Sequence, residues 1–321
     1  MLTQVKSLRF PAFAALALGL SASIATACCC VGPRDKPIVF GDQTNIVIWD
    51  AASKTEHFIR DAKFRSDAPN FGFIAPTPSK PDLSEASSEA FDTLAKLKPI
   101  ERRVGDVAMA TGAAETAVDV IQQVDVAGYR ATTLLASDST ALADWMRHNG
   151  YQTTPAVETW TKAYIAKGWY LTAFKVLDKN QVASTGTVRM SFKTDRPFNP
   201  FYVPSDNIKE DQKGTLKVFF VATGDYQATV GKSEPWQDAV WNAPVPTDIA
   251  DRLAGQLKLP PSAIPRDAQV EAFEDNDFPR AASDDIYFSK HGSNLVPAGV
   301  GVLLVGGLGF WLWRRMRLHP H

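Results

Sequence analysis

The segment from Leu295 to Trp313 is the strongest constraint on this chain, because it contains 19 residues without a single charge. At about 1.5 Å of rise per residue, a helix of that length crosses the roughly 30 Å hydrocarbon core of a bilayer. Arg314, Arg315 and Arg317 follow at once, and such a cluster marks the cytoplasmic end of a span. The sequence therefore predicts a transmembrane helix at 295–313 and a short cytoplasmic tail at 314–321.

Two other interpretations of this segment stay open at the level of sequence. A buried helix of a soluble protein would have to tolerate Pro297 and five glycines, which are poor helix formers in water. A removable sorting tag would also combine a short motif, an apolar helix and an arginine cluster. Val296-Pro297-Ala298, however, lacks a recognition motif of the Pro-Glu-Pro type.

The N-terminus has the features of a secretory signal peptide. Lys6 and Arg9 precede an apolar run at 10–20 that is too short to span a bilayer comfortably. Ala25 and Ala27 then give the Ala-x-Ala cleavage pattern. We therefore expect residues 1–27 to be removed. The mature chain would cross a bacterial membrane once, with its N-terminal domain outside, in the periplasm or at the cell exterior, and its C-terminus in the cytoplasm.

Residues 28–294 are enough for one large extracytoplasmic domain or two small ones. The formal net charge of the whole chain is −1, and five cationic residues lie in the two end segments, so the middle is more acidic than the whole. A mildly acidic domain offers no electrostatic footprint for nucleic acid. The partners that we expect are the membrane and an envelope protein, and no nucleic acid.

All three cysteines of the chain stand together at Cys28, Cys29 and Cys30, directly after the predicted cleavage site. They therefore cannot cross-link distant parts of the fold. Lipidation of Cys28 is one interpretation, although the leucine usual three residues before a lipoprotein cysteine is missing. A local bridge between Cys28 and Cys30, or an intermolecular disulfide, is favoured over it. Three adjacent thiolates are too cramped to make a good metal site.

Apolar periodicity predicts many strands and a few helices. Strands are expected at 38–40, 45–50, 55–64, 71–75, 118–126, 129–135, 169–177, 187–193 and 216–222. Helices are expected at 87–97, 138–149, 155–167 and 247–258. The acidic segments 271–278 and 284–290 are expected to be edge strands. The predicted class is α+β, with a mostly antiparallel sheet, a few packed helices and the one C-terminal transmembrane helix.

A strand followed by a proline-rich segment gives the candidate binding surface. Proline cannot donate to a strand ladder, so the strand is expected to end at Ala75 and to continue in extended, polyproline-like form. Such a segment has little conformational entropy to lose on binding. The residues assigned to the surface are Phe71, Phe73, Pro76, Thr77, Pro78 and Lys80. The structural alternative is that the prolines end an edge strand and the phenylalanines belong to the core.

Several ordered motifs resemble one bacterial family. They are residues 73–78, Leu134 to Asp138, Asn149-Gly150-Tyr151, Gly168-Trp169-Tyr170 and the run 192–198. From about Cys28 to Phe288, the chain resembles domain-of-unknown-function family 2330, a set of uncharacterised bacterial exported proteins. The resemblance implies no activity and no catalytic residues. It also implies N-terminal cysteines a few residues apart, whereas here they are contiguous.

The common catalytic motifs are missing from the sequence. It has no G-x-S-x-G elbow, no H-E-x-x-H motif and no phosphate-binding glycine loop before Leu295. The three histidines of the middle part, His57, His148 and His291, are expected to be structural or exposed. The acidic runs at 271–277 and 284–285 lack the spacing of a calcium loop and indicate a solvated acidic edge. No metal and no cofactor are predicted.

Two classes of function follow from these observations. The favoured one is a membrane-anchored cell-envelope protein, with a non-enzymatic binding or scaffolding domain held outside the membrane. The alternative is an exported hydrolase of unrecognised type. Converging carboxylates in a pocket, or a histidine with a shifted pKa, would favour the hydrolase, whereas an aromatic surface would favour binding.

Overall fold

The computed structural model describes residues 29–31, 39–40, 42–61, 64–65, 72–99, 120–151, 153–177, 186–209 and 213–291. Within these ranges the chain forms strands β1 (Cys29–Val31), β2 (Val39–Phe40), β3 (Gln43–Asp50), β4 (Thr55–Asp61), β5 (Phe64–Arg65), β6 (Gly72–Thr77), β7 (Asp82–Ala86), β8 (Val120–Val126), β9 (Tyr129–Leu135), β10 (Tyr170–Val176), β11 (Thr187–Lys193), β12 (Phe198–Asn199), β13 (Gly214–Thr223), β14 (Tyr226–Val230), β15 (Glu234–Pro235), β16 (Trp241–Pro244), β17 (Ala268–Phe278) and β18 (Ile286–Lys290). The α-helices are α1 (Glu89–Ala95), α2 (Ser139–His148), α3 (Pro155–Ala166) and α4 (Thr247–Gln256). Two short 3-10 helices lie at Ser205–Asn207 and Pro261–Ala263.

Three larger sheets and one small pair organise these strands. The seven-stranded sheet has the order β16-β17-β13-β3-β4-β11-β7, and the five-stranded sheet has the order β1-β6-β10-β9-β8. A four-stranded sheet has the order β12-β18-β14-β15, and β2 pairs with β5. Among the described strands, β13 and β3 form the one parallel pair. The neighbouring pairs, such as β13 with β17 and β3 with β4, are antiparallel.

Successive apolar side chains of β13 belong to two different hydrophobic cores. Leu216, Val218 and Phe220 face the central core, which collects side chains from all three larger sheets. Phe219 and Val221 point the other way, into a layer that α4 covers with Ala250 and Leu253. Because successive side chains of a strand point to opposite faces, a strand with apolar residues on both faces must be covered on both sides.

The helices cover the outer faces of the two largest sheets. Helices α1 and α4 pack on the seven-stranded sheet, and α2 and α3 pack on the five-stranded sheet. The local signals for α2 and α3 are strong. The Asp138 carboxylate accepts a hydrogen bond from the Ala141 amide at 2.9 Å, and the Thr154 hydroxyl accepts one from the Val157 amide at 3.2 Å. Such caps satisfy amide groups that have no partner within the first turn.

The predicted α+β class is wrong. Strands outnumber α-helices by eighteen to four in the described part, and the longest helix has 12 residues, so the fold is mostly β-sheet with thin helical covers. None of the helices described is long and apolar enough to cross a membrane. The segment 295–313, for which a transmembrane helix was expected, lies outside the described residues.

The expected end of a strand at Ala75 is also wrong. β6 continues through Pro76 to Thr77, and Pro76 lies opposite Leu171 of β10. Among the described residues of β1 the pairing covers only positions 72–74, so this pairing makes no demand on the missing N–H of Pro76. At the start of β6, position 72 has no room for a side chain, so it must be glycine. A Cβ atom there would lie 1.9 Å from the carbonyl oxygen of Phe174.

The expected edge strands are interior strands. β17 lies between β16 and β13, and β18 lies between β12 and β14. Their acidic residues were the reason for expecting an exposed edge. The long-range pairing of β17 with β13, whose apolar run is strongly buried, overrides that local signal.

Phe73→Ala is expected to lower the free energy of unfolding by about 3–5 kcal/mol, since truncation of a buried phenylalanine loses burial and leaves a cavity. The Phe73 side chain is 0% exposed, stacks on Phe174 at 4.6 Å and meets the edge of Tyr129 at 5.4 Å. Urea unfolding with linear extrapolation measures the effect. The control is Lys80→Ala, at an exposed position three residues beyond β6. Equal stability of the two variants would contradict this packing.

Candidate functional site

The candidate binding residues of β6 are mostly inside the molecule. Phe73, Pro76 and Thr77 are buried, Pro78 is half-buried, and Lys80 is exposed. Phe71 lies outside the described residues. Ser79 fastens the exposed part to β11, since its hydroxyl donates to the Lys193 carbonyl and accepts from the Lys193 amide, both at 2.9 Å. The reachable part is therefore short, and its role in binding stays a prediction.

The N-terminal cysteines join a sheet. Cys29 and Cys30 begin β1, where their backbones lie opposite Ile74 and Phe73 of β6. Cys28, for which lipidation or a disulfide was considered, lies outside the described residues. Within the ranges that the structure describes, no group of three His, Cys, Asp or Glu side chains could hold a metal ion.

A cleft of about 1070 Å³ lies between the seven-stranded and four-stranded sheets. Five aromatic side chains form its floor: Trp49, Tyr226, Trp236, Phe273 and Phe288. They come from the end of β3, from β14, from the residue after β15, and from β17 and β18. All five are less than 10% exposed, so most of each ring is packed against the core. We call these five side chains the aromatic floor.

Ring contacts hold the aromatic floor together. Phe273 stacks on Trp236 at 5.8 Å and contacts Phe288 at 5.6 Å. The indole of Trp49 donates a hydrogen bond to the hydroxyl of Tyr226. Aromatic pairs in such geometries contribute about 0.5–1.5 kcal/mol beyond the burial of their area. The shape of the floor is therefore set by the protein before any ligand enters.

Two carboxylates of β17, which flank Phe273 along the strand, fix two other members of the aromatic floor. Asp275 accepts a hydrogen bond from the Trp236 indole at 3.0 Å and from Arg280 at 3.2 Å. Glu271 accepts from the Tyr226 amide at 3.2 Å. These acids and Phe273 occupy alternate positions of one strand and therefore share a face. Neither acid lines the cleft, and both are occupied by donors of the protein itself.

Burial shifts the proton affinity of the groups around the floor. It raises the pKa of Glu271 from an ordinary 4.5 to about 7, although the hydrogen bond from the Tyr226 amide opposes the change. It also raises the pKa of Tyr226. A carboxyl group in a place of low polarity binds its proton more tightly, because ionisation there loses hydration. Ionisation of Glu271 therefore lowers the stability of the folded state.

The rim of the cleft is polar. Its side chains, which we call the polar rim, are Asp195, Arg196, Gln227, Thr229, Lys232, Ser233, Gln237, Asp238, Ser289, Lys290 and His291. Arg196 is fixed in place, since it donates to the Gly231 carbonyl at 3.2 Å and to the Thr229 hydroxyl at 3.0 Å. Its guanidinium also lies 4.5 Å from the centre of the Tyr287 ring. Asp195 pairs with Lys54 at 2.6 Å, where both groups are exposed.

A second pair of buried acids positions the segment that leads away from the polar rim. Asp285 accepts from the amides of Phe201 and Tyr202, at 2.9 and 3.0 Å, and Glu56 accepts from the Phe198 amide at 2.9 Å. Both acids are 0% exposed. Burial raises the pKa of Asp285 to about 6 and that of Glu56 well above its ordinary range. These acids hold backbone and do not line the cleft.

One serine–histidine pair lies elsewhere, on the outer face of the seven-stranded sheet. Ser191 and His57 are opposite each other on β11 and β4, with the Ser191 hydroxyl 2.8 Å from His57 Nδ1. Burial, and then the charge of Arg189, lower the pKa of His57 to about 4. Within the described residues no carboxylate hydrogen-bonds His57 Nε2, and neither residue lines the cleft. The pair therefore lacks the orienting acid that an acyl-transfer site needs.

Sequence reasoning missed the buried acids. The expected solvated acidic edge is wrong for Glu271, Asp275 and Asp285, which are 6%, 1% and 0% exposed. One signal was available, because Val270 and Ala272 are apolar on one face of the strand and Phe273 on the other. Apolar residues on both faces indicate an interior strand.

The family model for uncharacterized proteins conserved in bacteria (DUF2330) matches residues 22–213, which is more than half of the chain. The chain belongs to this family. This match confirms the resemblance seen in the sequence, although it ends at residue 213 and not near Phe288. The DUF2330 match therefore stops before β13, and most of the aromatic floor lies beyond it. No curated protein and no solved structure matches this DUF2330 protein.

Glu271 is expected to contribute a fall in stability as pH rises from about 4.5 to about 7, whereas His57, whose pKa is lowered from 6.5 to about 4, contributes a rise. The folded state binds the Glu271 proton more tightly than the unfolded state, so the stabilisation is complete below the unfolded pKa and lost through the folded pKa. Glu271→Gln keeps an acceptor for the Tyr226 amide and cannot ionise. It is therefore expected to remove the contribution of Glu271 to the pH dependence and to leave that of His57.

Urea unfolding of wild type and Glu271→Gln at several pH values between 4 and 8 measures this dependence. Asp285, with its pKa raised from 3.8 to about 6, contributes a slope of the same sign below pH 6 in both proteins, and His57 contributes the opposite sign in both, so the difference between wild type and Glu271→Gln isolates Glu271. Glu234→Gln, at an exposed position of β15, is the matched control and should behave like wild type. An unchanged slope in Glu271→Gln would show that Glu271 titrates normally.

Proposed function

We propose that this protein is an exported cell-envelope protein with a non-enzymatic role, and that it binds a ligand in the aromatic cleft. The observation that carries the proposal is a cleft whose aromatic floor is held in place by buried acids and whose rim is polar. Pockets that bind small ligands combine apolar walls with a few placed polar groups in this way. A preformed site needs little ordering when the ligand enters.

The state of the acids favours binding over hydrolysis. Acid–base catalysis needs a titratable group within hydrogen-bond reach of the reacting atoms. Glu271 and Asp275 do not line the cleft, and they accept hydrogen bonds from the Tyr226 amide and the Trp236 indole. His57 and Ser191 lie away from the cleft. The hydrolase alternative would have to rest on Asp195, Asp238 and His291 at the rim, and Asp195 is already paired with Lys54.

The ligand-binding proposal is tested with a side chain that fills the cleft. Ser233 is exposed and lines the cleft, so Ser233→Trp should block it. Ser262→Trp is the matched control, because Ser262 is exposed in the 3-10 helix after α4 and does not line the cleft. The melting temperatures of wild type and both variants are measured with fractions of a bacterial envelope extract.

At least one fraction is expected to raise the melting temperature of wild type and of Ser262→Trp, by about 5 °C at saturation, because a ligand that binds only the folded state stabilises it. Ser233→Trp should not respond to that fraction. An equal rise in all three proteins would place the ligand elsewhere. The absence of any responding fraction would contradict the proposal.

The export of the domain is part of the same proposal and is supported by the signal-peptide pattern at 1–27. Anchoring through 295–313 rests on sequence alone. Protease added to spheroplasts is expected to digest residues 28–294 at the cell surface, as followed by immunoblotting. A cytoplasmic control protein should stay intact. Protection of the domain in intact spheroplasts, with digestion only after lysis, would contradict export.

A further inference from the structure

We propose that one end of the domain lies against the phospholipid head groups of the membrane that anchors it, held there by the short connection after His291. This inference rests on the proposed anchoring through 295–313, and it goes beyond that proposal by naming the surface and its partner. Two observations on the described residues carry it. They are the place in the fold where the chain leaves the domain, and the turns that surround this place.

The connection is too short to let the domain move away from the membrane. His291 is the last residue that the structure describes, and only 292–294 separate it from Leu295, where the proposed span begins. Four residue steps cover at most about 14 Å when fully extended. The polar layer on each side of the hydrocarbon is about 5–7 Å thick. The backbone of His291 is therefore held at most about 8 Å beyond the head groups.

Hydrogen bonds and strand register show which surface surrounds His291. Its amide donates to the Asp225 carbonyl at 2.9 Å, so the turn between β13 and β14 lies beside the end of β18. β3 runs parallel to β13, with Ile48 opposite Val221, so both strands end at the same side of their sheet. The turn at 51–54 follows β3 and projects there too. We call residues 51–54, 224–225 and 290–291 the tethered end.

The charges of the tethered end are balanced. Lys54 pairs with Asp195 at 2.6 Å, and the other two charged groups, Lys290 and Asp225, have opposite signs. Attraction to an anionic lipid surface grows with the number of basic residues in excess, so a balanced surface is neither strongly attracted nor strongly repelled. The short connection, and not an electrostatic attraction, is therefore what holds this end at the membrane.

The aromatic cleft shares this end of the domain. Ser289, Lys290 and His291 all line it. Because His291 is held at most about 14 Å from the hydrocarbon, the part of the cleft beside His291 lies next to the head-group layer. The inference thus places one side of the proposed ligand site at the membrane surface.

Photo-cross-linking to lipid tests the inference. The photoreactive residue p-benzoylphenylalanine replaces Ala52, Asp225 or Asn276, one at a time, in the full-length protein, which is then placed in vesicles of phosphatidylethanolamine and phosphatidylglycerol. All three positions are exposed. The turn at 51–54 should keep its shape, because the Asp50 carboxylate accepts hydrogen bonds from backbone amides there. Intact-mass measurement after irradiation detects a covalent lipid adduct.

Position 276 is the matched control. Ala268 of β17 pairs with Thr223, directly before the tethered end, and Asn276 lies eight residues further along the same strand. At about 3.3 Å per residue, position 276 is roughly 26 Å farther from the membrane. We expect lipid adducts at positions 52 and 225 and none at position 276.

A longer connection should release the tethered end. An insert of about 20 glycine and serine residues between Ser293 and Asn294 adds a flexible reach of about 25 Å. It leaves the domain unchanged, so the melting temperature should stay that of wild type, while the adducts at positions 52 and 225 should fall several-fold. An unchanged adduct yield in this variant would overturn the inference, because the connection would then not position the domain.

The remaining outcomes separate this inference from the proposals on which it rests. If the protein resists extraction from the vesicles by alkaline carbonate and yet gives no adduct at positions 52 and 225, or an equal yield at position 276, this inference alone is wrong. Release of the protein by carbonate would overturn the anchoring, and this inference with it. The proposal of a ligand in the cleft is decided independently, by the thermal-shift experiment with Ser233→Trp.

Discussion

Asp285 joins three parts of the molecule through hydrogen bonds that a single carboxyl group accepts. Its oxygens accept from the Tyr164 hydroxyl of α3 and from the amides of Phe201 and Tyr202, and it lies directly before β18. The helical cover, the segment after β12 and the four-stranded sheet are thus tied at one buried point. A buried acid is costly unless it is well bonded, so this arrangement strongly disfavours any packing that separates these donors from it.

The same physical device supports the cleft. Asp275 and Glu271 lie on the inner face of β17 and hold Trp236 and Tyr226 in position. The burial of Glu271 costs stability at neutral pH, as its raised pKa of about 7 indicates. In return, the aromatic floor has one fixed shape. Sites whose supporting groups are fixed bind with a smaller loss of entropy, which is why we place the function in this cleft.

The sequence predicted most elements of the fold, but it did not predict which strands pair with each other or which acids become buried between them. Asp138, Gly150 and Pro155 are local signals, and α2 and α3 begin and end where these residues indicate. The alternation of Leu216, Val218 and Phe220 likewise predicted β13. The acids of β17 led to the wrong prediction of an exposed edge strand, since a charged residue in a strand usually faces water. Their burial depends on Trp236, Arg280 and Tyr226, which approach only in the folded chain.

What the sequence determined by itself was therefore mostly local: the periods of strands and helices and their caps, together with the membership of a bacterial family. The tertiary structure alone decided that β6 runs through Pro76, that β17 and β18 are interior strands, and that five distant aromatic residues meet in one cleft. The physical reason is that pairing partners of a strand are set by contacts across long sequence separations. Apolar periodicity shows which face of a strand is buried, but the partner that buries it is chosen only when the sheets assemble.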